Sequence, residues 1–149
     1  MTINIKILLF VCVMSFSLQT FSQDWTYNFK DAVQESKKSD KLVMLVFQGS
    51  DWCAPCIKLE KKIWQSEQFK TYSKESLVIV KLDFPRKKAN QLADFQKEHN
   101  NKMAEKFNTN GYFPLVVILN NKEEILDRFG YENWSPEAYI KRIDANNLK

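Results

Sequence analysis

The chain contains three runs of almost uninterrupted apolar residues. They are rich in β-branched and aromatic side chains, and they span Lys41–Phe47, Ser76–Asp83 and Phe113–Leu119. Runs of this length without polar alternation are typical of strands that are covered on both faces. A fourth and more polar run, Glu124–Phe129, follows the turn at Asn120–Lys122, so we expect it to pair back on the third run as a hairpin.

Apolar positions recur at helical spacing in the segments between these runs. Asn28 is a capping residue ahead of the first helical segment, and Ser135 followed by Pro136 supplies a cap and a first-turn proline for the last one. Helices are expected over 28–38, 52–64, 66–72, 89–107 with a break near Asn100–Asn101, and 135–143. In the fourth of these segments the predicted apolar stripe consists of Leu92, Phe95, Met103 and Phe107.

The predicted elements follow the order α, β, α, β, α, β, β, α, and a further short strand is expected near Trp25. This alternation favours a parallel sheet with helices packed on both faces, and the closing hairpin adds an antiparallel edge. The sequence thus predicts an α/β fold with a central mixed sheet of four or five strands. At 149 residues the chain has the length of a single domain.

The first 22 residues differ from the rest of the chain. A polar start containing Lys6 leads into the apolar run Ile7–Met14, and the small residues Thr20 and Ser22 follow. This arrangement is typical of a secretory signal peptide cleaved after Ser22, which leaves a domain at 23–149 that is exported to the periplasm or secreted. The apolar run is shorter than the about 20 residues that span a bilayer, so no membrane span is expected in the mature chain.

Two other interpretations of this segment stay open. The apolar run could be kept as an N-terminal anchor. It could also carry a lipid on Cys12, although the bulky Val11 precedes that cysteine where lipoprotein sites have a small residue.

Composition indicates a soluble protein with a packed core, since hydrophobic residues make up 44% of the chain and charged residues 27%. The formal charge of +4 falls to +3 when Lys6 leaves with the signal peptide, and the remaining basic residues are interspersed with acids. Solvated faces of mixed charge do not favour nucleic-acid binding.

The cysteines supply the strongest chemical signal. Cys12 would leave with the signal peptide, so the mature chain keeps Cys53 and Cys56. Zinc would need four ligands, but His99 is the only histidine. Covalent haem attachment would need a histidine directly after the second cysteine, where Ile57 stands. A redox-active dithiol needs nothing beyond the pair itself, so we expect no metal and no cofactor.

The two cysteines lie at the start of the helix that is predicted after the buried strand Lys41–Phe47. At a helix start, unpaired backbone N–H groups and the helix dipole favour a thiolate, so Cys53 is the expected nucleophile. Cys56 lies one turn further in, and we expect it to be more buried and to act second.

The segment Phe47–Cys56, with its Trp-Cys-Ala-Pro-Cys string, and the later Phe113–Pro114 pair resemble the thioredoxin superfamily. The resemblance extends from Trp25 to the C-terminus. More narrowly, the chain is similar to exported thioredoxin-like proteins and to the C-terminal periplasmic domain of the transmembrane thiol–disulfide interchange protein. The resemblance implies the thioredoxin fold, a cis-proline at Pro114 facing the dithiol, and substrate contacts from Trp52, Phe113 and Pro114. Without it, a trans proline that starts a strand is the ordinary interpretation.

The acid–base residues depart from the thioredoxin pattern. Thioredoxins have a buried aspartate six residues before the nucleophile, where this chain has Phe47, although Lys81 matches the lysine that accompanies that aspartate. The interchange-protein domains have a glutamate four residues beyond the second cysteine, and Glu60 occupies that position. The resemblance therefore implies Glu60 as the proton acceptor for Cys56. A solvent-facing glutamate beside Lys61 is the alternative.

The sequence favours an enzyme that reduces or isomerises disulfides of exported proteins through the Cys53–Cys56 dithiol. Its partners would be protein disulfide substrates and a thiol electron donor, either soluble or membrane-bound. The proline before the second cysteine, and the lack of histidine between the cysteines, favour the reductive direction. Two other functions stay open: a catalytically quiet binding module of the same fold, and a redox partner dedicated to one client.

Overall fold

The computed structural model describes residues 24–147, and the predicted signal peptide, with Cys12, lies outside the described residues. The strands are β1 (Trp25–Thr26), β2 (Leu42–Gln48), β3 (Leu77–Asp83), β4 (Leu115–Leu119) and β5 (Ile125–Phe129). The helices are α1 (Phe29–Ser39), α2 (Ala54–Leu59), α3 (Glu67–Ser76), α4 (Asp94–Phe107) and α5 (Pro136–Asp144). A π-helical turn, Glu60–Trp64, directly continues α2, and a 3-10 turn at Lys88–Asn90 precedes α4.

The strands form one mixed sheet in the order β1-β3-β2-β4-β5. β1 and β2 both run parallel to β3, whereas β4 runs antiparallel to β2 and to β5. The predicted α/β fold with a central mixed sheet is therefore confirmed, and the short strand at Trp25 forms one edge. Because β2 and β3 are parallel, their carboxyl ends meet at the same edge of the sheet, where Gln48 lies beside Asp83.

Local capping signals set the start of three helices. The side chains of Asn28, Ser66 and Ser135 each accept a hydrogen bond from a backbone N–H in the first turn of the helix that follows. Such a bond satisfies one of the N–H groups that have no partner inside the helix. The predicted helix starts at these residues are confirmed.

Helices cover both faces of the sheet and create two apolar cores. One core includes the large rings of Trp64, Phe69 and Tyr139 from α3, α5 and the π-helical turn. The other includes Phe29 and Phe107 from α1 and α4. Every residue of β2 and β4 is buried between them, which explains why these strands are apolar without alternation. Among the residues that the structure describes, no helix is long and apolar enough to cross a membrane.

The helix before β4 differs from its prediction. α4 begins at Asp94 instead of near position 89, and it continues unbroken through Asn100. Phe95 is 75% exposed and Leu92 precedes the helix, so neither belongs to a buried helical stripe. Asn100 is itself buried, and its side-chain amide donates to the carbonyl oxygen of Asp83 at 2.9 Å. This asparagine therefore ties α4 to β3 instead of breaking the helix.

Candidate active site

The dithiol lies where β2 ends and the chain turns into α2. The backbone N–H groups of Trp52 and Cys53 both donate to the carbonyl oxygen of Gly49, at 3.3 and 2.9 Å. This turn makes Cys53 the N-cap of α2, and its Sγ accepts a hydrogen bond from the backbone N–H of Cys56 at 3.3 Å. Pro55 occupies the first helical turn, where the missing N–H has no helical partner to lose. The helix start predicted directly after a buried strand is confirmed.

The sulfur atoms of the two cysteines are bonded to each other. Cys53 and Cys56 form a disulfide with an S–S distance of 2.04 Å and a Cα–Cα distance of 5.2 Å. Each residue is 4% exposed, so the expectation that Cys56 is the more buried one is wrong for this oxidised form. What distinguishes the cysteines is position, because only Cys53 caps the helix and faces its unpaired backbone N–H groups.

The indole ring of Trp52 is enclosed on several sides next to the dithiol. Its Nε1–H donates to the carbonyl oxygen of Phe84 at 2.7 Å. The Arg86 guanidinium lies 3.7 Å from the ring centroid, and the Phe113 ring meets the indole edge-on at 5.4 Å. A Cβ atom at Gly49 would clash with Cε2 of the indole, so a side chain there would displace the ring. Trp52 therefore joins the segment after β3 to the segment before β4.

Asp51 holds the same segment after β3. Its carboxylate accepts hydrogen bonds from the backbone N–H groups of Arg86 and Lys87, both at 2.9 Å, and from the side-chain amide of Asn90 at 3.0 Å. These bonds, that from the Arg86 N–H foremost, keep the pKa of Asp51 below its usual value. Asp51 thus fixes Arg86 where it can stack on Trp52. Sequence reasoning missed this arrangement because no local pattern pairs residues 35 positions apart.

Phe113 and Pro114 immediately precede β4, and the peptide bond between them is cis. Phe113 packs against Trp52 and against Phe84, whose ring centroid lies 5.3 Å away. Pro114 and Pro55 line the same cavity, which has a volume of about 830 Å³. The fold therefore gathers Trp52, Phe113 and Pro114 around the turn that carries the dithiol.

Phe47 and Lys81 do not form an acid–base pair. Phe47 is fully buried and its ring stacks with Phe84 at a centroid distance of 6.5 Å. Lys81 is paired with Val46 in the parallel register, so it emerges on the face of the sheet opposite Phe47. Its ammonium lies 5.4 Å from the centroid of the Trp25 ring. Phe47 therefore leaves no carboxylate at the position of the thioredoxin aspartate, and Lys81 lies against Trp25.

Glu60 stands one turn beyond Cys56, where α2 continues into the π-helical turn. Its backbone N–H donates to the carbonyl oxygens of Cys56 and Ile57, and its Oε1 accepts a hydrogen bond from the Gln65 side-chain amide at 2.6 Å. The second oxygen, Oε2, is buried and has no hydrogen-bond partner among the described residues. This half-buried carboxylate differs from a solvent-facing glutamate, because one of its oxygens is shielded from water.

The single histidine, His99, makes its hydrogen bonds with residues other than Cys53 and Cys56. His99 is half-buried on α4, and its Nε2 accepts a hydrogen bond from the backbone N–H of Phe29 at 3.1 Å. This bond ties α4 to the start of α1. Across residues 24–147, no group of three or more histidine, cysteine, aspartate or glutamate side chains could hold a metal ion.

Comparison with known proteins identifies the family of the chain. A family model described as thioredoxin-like matches residues 24–121. The disulfide bond reductase DsbH of Chlamydia pneumoniae is 33% identical over 118 residues, which are 79% of this chain and 69% of that protein. A solved structure of a DsbH oxidoreductase superposes with a TM-score of 0.78 at 30% identity, covering 85% of each chain. The oxidised C-terminal domain of Neisseria meningitidis DsbD has the same fold, with a TM-score of 0.55 at 17% identity over 78% of this chain and 90% of that domain.

Proposed function

The chain belongs to the thioredoxin-like family, and on that premise we propose that it is an exported thiol–disulfide oxidoreductase that reduces or isomerises disulfides in other proteins. The position of the Cys53–Cys56 pair carries this proposal. Two cysteines that bond to each other, the first of them capping a helix, form a dithiol that can alternate between two redox states. Similarity to a disulfide bond reductase supports the reductive direction.

The proposed reaction proceeds in two attacks. The Cys53 thiolate attacks one sulfur of a client disulfide, the client S–S bond breaks, and the departing client thiolate takes a proton from water. Cys56 then loses its proton to an acceptor and attacks the Cys53 sulfur, which breaks the mixed disulfide and releases the second client thiol. The dithiol has given two electrons to the client and ends as the Cys53–Cys56 disulfide seen here. A thiol electron donor, soluble or membrane-bound, returns the two electrons.

The helix start supports the choice of Cys53 as nucleophile. In the oxidised form the Cys56 N–H already points at the Cys53 sulfur, and the positive end of the α2 dipole lies at the same atom. Both interactions strengthen when that sulfur becomes negatively charged, because they stabilise an anion and not a neutral thiol. Trp52, Phe113 and Pro114 are the proposed client contacts, since Trp52 directly precedes Cys53 and packs against Phe113. Phe113 and Pro114 also line the cavity that reaches Pro55, between the two cysteines.

Glu60 is the proposed proton acceptor for Cys56. The buried and unpartnered Oε2 one turn beyond Cys56 supports this role, as do the burial of Phe47 and the opposite orientation of Lys81. The mixed-disulfide step is the one that needs an acceptor, because Cys56 has to ionise before it can attack.

We expect Glu60→Gln to slow the release of the mixed disulfide by at least about 10²-fold near neutral pH, with little effect on the first attack. The deficit should shrink at alkaline pH, where solvent takes the proton instead. Rapid quenching with an alkylating agent, followed by separation of free and mixed-disulfide protein, measures both steps. Glu67→Gln is the matched control, because Glu67 is an exposed carboxylate at the start of α3. Equal rates for the two variants would exclude Glu60 as the acceptor.

Export to the periplasm or secretion is supported by the signal-like pattern of residues 1–22. Oxidising compartments are where proteins carry disulfides that a reductase could act on. Protein disulfides and a thiol electron donor are therefore the proposed partners.

Reduction of insulin tests the function directly. The reduced protein, freed of small thiols, should cleave one insulin disulfide for each Cys53–Cys56 pair that becomes oxidised, as counted by alkylation and mass. Equilibration with glutathione should give a potential closer to the about −270 mV of thioredoxin than to the about −120 mV of strongly oxidising superfamily members. An oxidising potential would overturn the reductive direction. Failure to exchange disulfides at all would favour a binding module.

A further inference from the structure

The cavity beside the dithiol is a groove at the end of the sheet where β4 begins and β5 ends. It extends from the active-site turn, between the edge strand β5 and the segment after α4. We call it the β5 groove and define it by Pro55, Lys106, Tyr112, Pro114, Arg128 and Tyr131. Pro55 lies between the two cysteines, so a client joined to Cys53 would place neighbouring residues in this groove.

Among the residues that the structure describes, those that line the β5 groove include two cationic side chains and no carboxylate. The Lys106 ammonium is partly neutralised, because Glu123 binds it at 3.1 Å from outside the groove. Arg128 is exposed, and within residues 24–147 its hydrogen bonds involve its backbone alone. The neighbouring Asp127 does not neutralise Arg128, since the Asp127 carboxylate is bound by Arg142 at 2.8 and 3.1 Å.

The sheet register fixes the direction in which Arg128 emerges. Arg128 is paired with Val117 across the β4–β5 hairpin, and paired residues project on the same face. Val117 belongs to the core that also includes Leu115 and Phe107, and both of these residues line the groove. Arg128 therefore projects on the same face of the sheet as Leu115 and Phe107, and it lines the groove with them.

Aromatic groups complete the surface of the groove. Tyr112 is 61% exposed on the segment between α4 and β4, and Tyr131 is half-buried just beyond β5. An exposed tyrosine such as Tyr112 offers an apolar face and a hydroxyl to a bound peptide. The described residues that line the groove therefore combine the Arg128 cation with two tyrosine side chains and include no acidic group that would repel a carboxylate.

We propose that the β5 groove selects clients that carry an acidic side chain near the reactive cysteine, with Arg128 as the specificity residue. The inference rests on the proposed disulfide exchange and names the class of client segment it prefers. A guanidinium binds a carboxylate with two parallel hydrogen bonds, which a lysine or glutamine of the client cannot provide. Because the site is open to solvent, we expect the preference to be several-fold and to weaken with salt.

The experiment uses synthetic peptides that contain one disulfide and differ only in the residues flanking it, which are glutamate, glutamine or lysine. The mature wild-type protein should reduce the glutamate peptide with a kcat/KM about three- to tenfold above that for the lysine peptide. Arg128→Gln should abolish the preference, and Arg128→Glu should reverse it. Lys37→Gln removes an exposed charge on α1, outside the groove, and should retain the preference.

Each result has one interpretation. An equal preference for the glutamate peptide in wild type and Arg128→Glu would overturn the role of Arg128, and so would its loss in Lys37→Gln. Equal rates for all peptides in the wild type would overturn selection by charge while leaving the exchange activity intact. If the wild type reduced neither the peptides nor insulin, the proposed function itself would fail.

Discussion

Replacing Cys53 with serine is expected to abolish disulfide reduction, whereas replacing Cys56 with serine should stall the reaction as a covalent complex with the client. Cys53 caps α2, and in the proposed mechanism it is the attacking group, so its loss leaves no nucleophile at the helix start. Without Cys56, the mixed disulfide has no neighbouring thiol to resolve it. Insulin turbidity measures the first effect, and non-reducing electrophoresis of the Cys56→Ser protein with its client measures the second.

The identities of the trapped proteins also distinguish a general disulfide reductase from a redox partner of one client. If Cys56→Ser captures many proteins of the exported fraction, the protein is a general reductase. A single captured protein would identify a dedicated redox partner. The double variant Cys53→Ser/Cys56→Ser is the control, and it should capture nothing. Retention of activity in Cys53→Ser would contradict the assignment of the nucleophile.

Replacing Trp64 with alanine is expected to cause the largest loss of stability, about 3–5 kcal/mol in the free energy of unfolding. Trp64 is 1% exposed at the end of the π-helical turn and packs against Phe69 at 4.5 Å and Tyr139 at 5.9 Å. Removing the indole leaves a cavity where α2, α3 and α5 meet. Urea denaturation followed by circular dichroism measures the loss.

Trp134→Ala provides the matched control, because its indole contacts the same Tyr139 ring at 5.4 Å but is 39% exposed. Its expected cost is below about 1 kcal/mol, since most surface substitutions have small effects. If Trp64→Ala does not fold, Trp64→Phe keeps part of the packing and should still be less stable than Trp134→Ala. Equal stability of the two alanine variants would show that burial at Trp64 does not dominate this core.

Core packing bears on the chemistry because the dithiol, Glu60 and the buried Trp64 lie on one helical segment. Trp64 anchors the segment that begins at Cys53 and passes through Glu60, so packing in the core fixes the proposed acceptor one turn from Cys56. Asp51 and Trp52 fix the other side of the turn by binding the segment after β3. The dithiol is thus held between two independent sets of contacts, as precise catalytic geometry requires.

Parts of the fold that depend on neighbours in sequence were predictable. Asn28 and Ser135 cap helices through hydrogen bonds to residues two or three positions away, and this spacing is visible in any sequence. The helix start after β2 was predictable for the same reason. The exposure of Phe95 and the burial of Asn100 were not, because helical periodicity gives the faces of a helix without saying which neighbours cover them.

The amino-acid sequence by itself determined the order of helices and strands, the mixed sheet and the position of the dithiol at a helix start, because these follow from apolar periodicity, capping and the spacing of two cysteines. Tertiary structure alone decided the equal burial of the cysteines, the stacking of Arg86 on Trp52, the shielded oxygen of Glu60 and the direction of Arg128. These features depend on side chains that meet only after distant segments pack, and local patterns carry no information about such contacts.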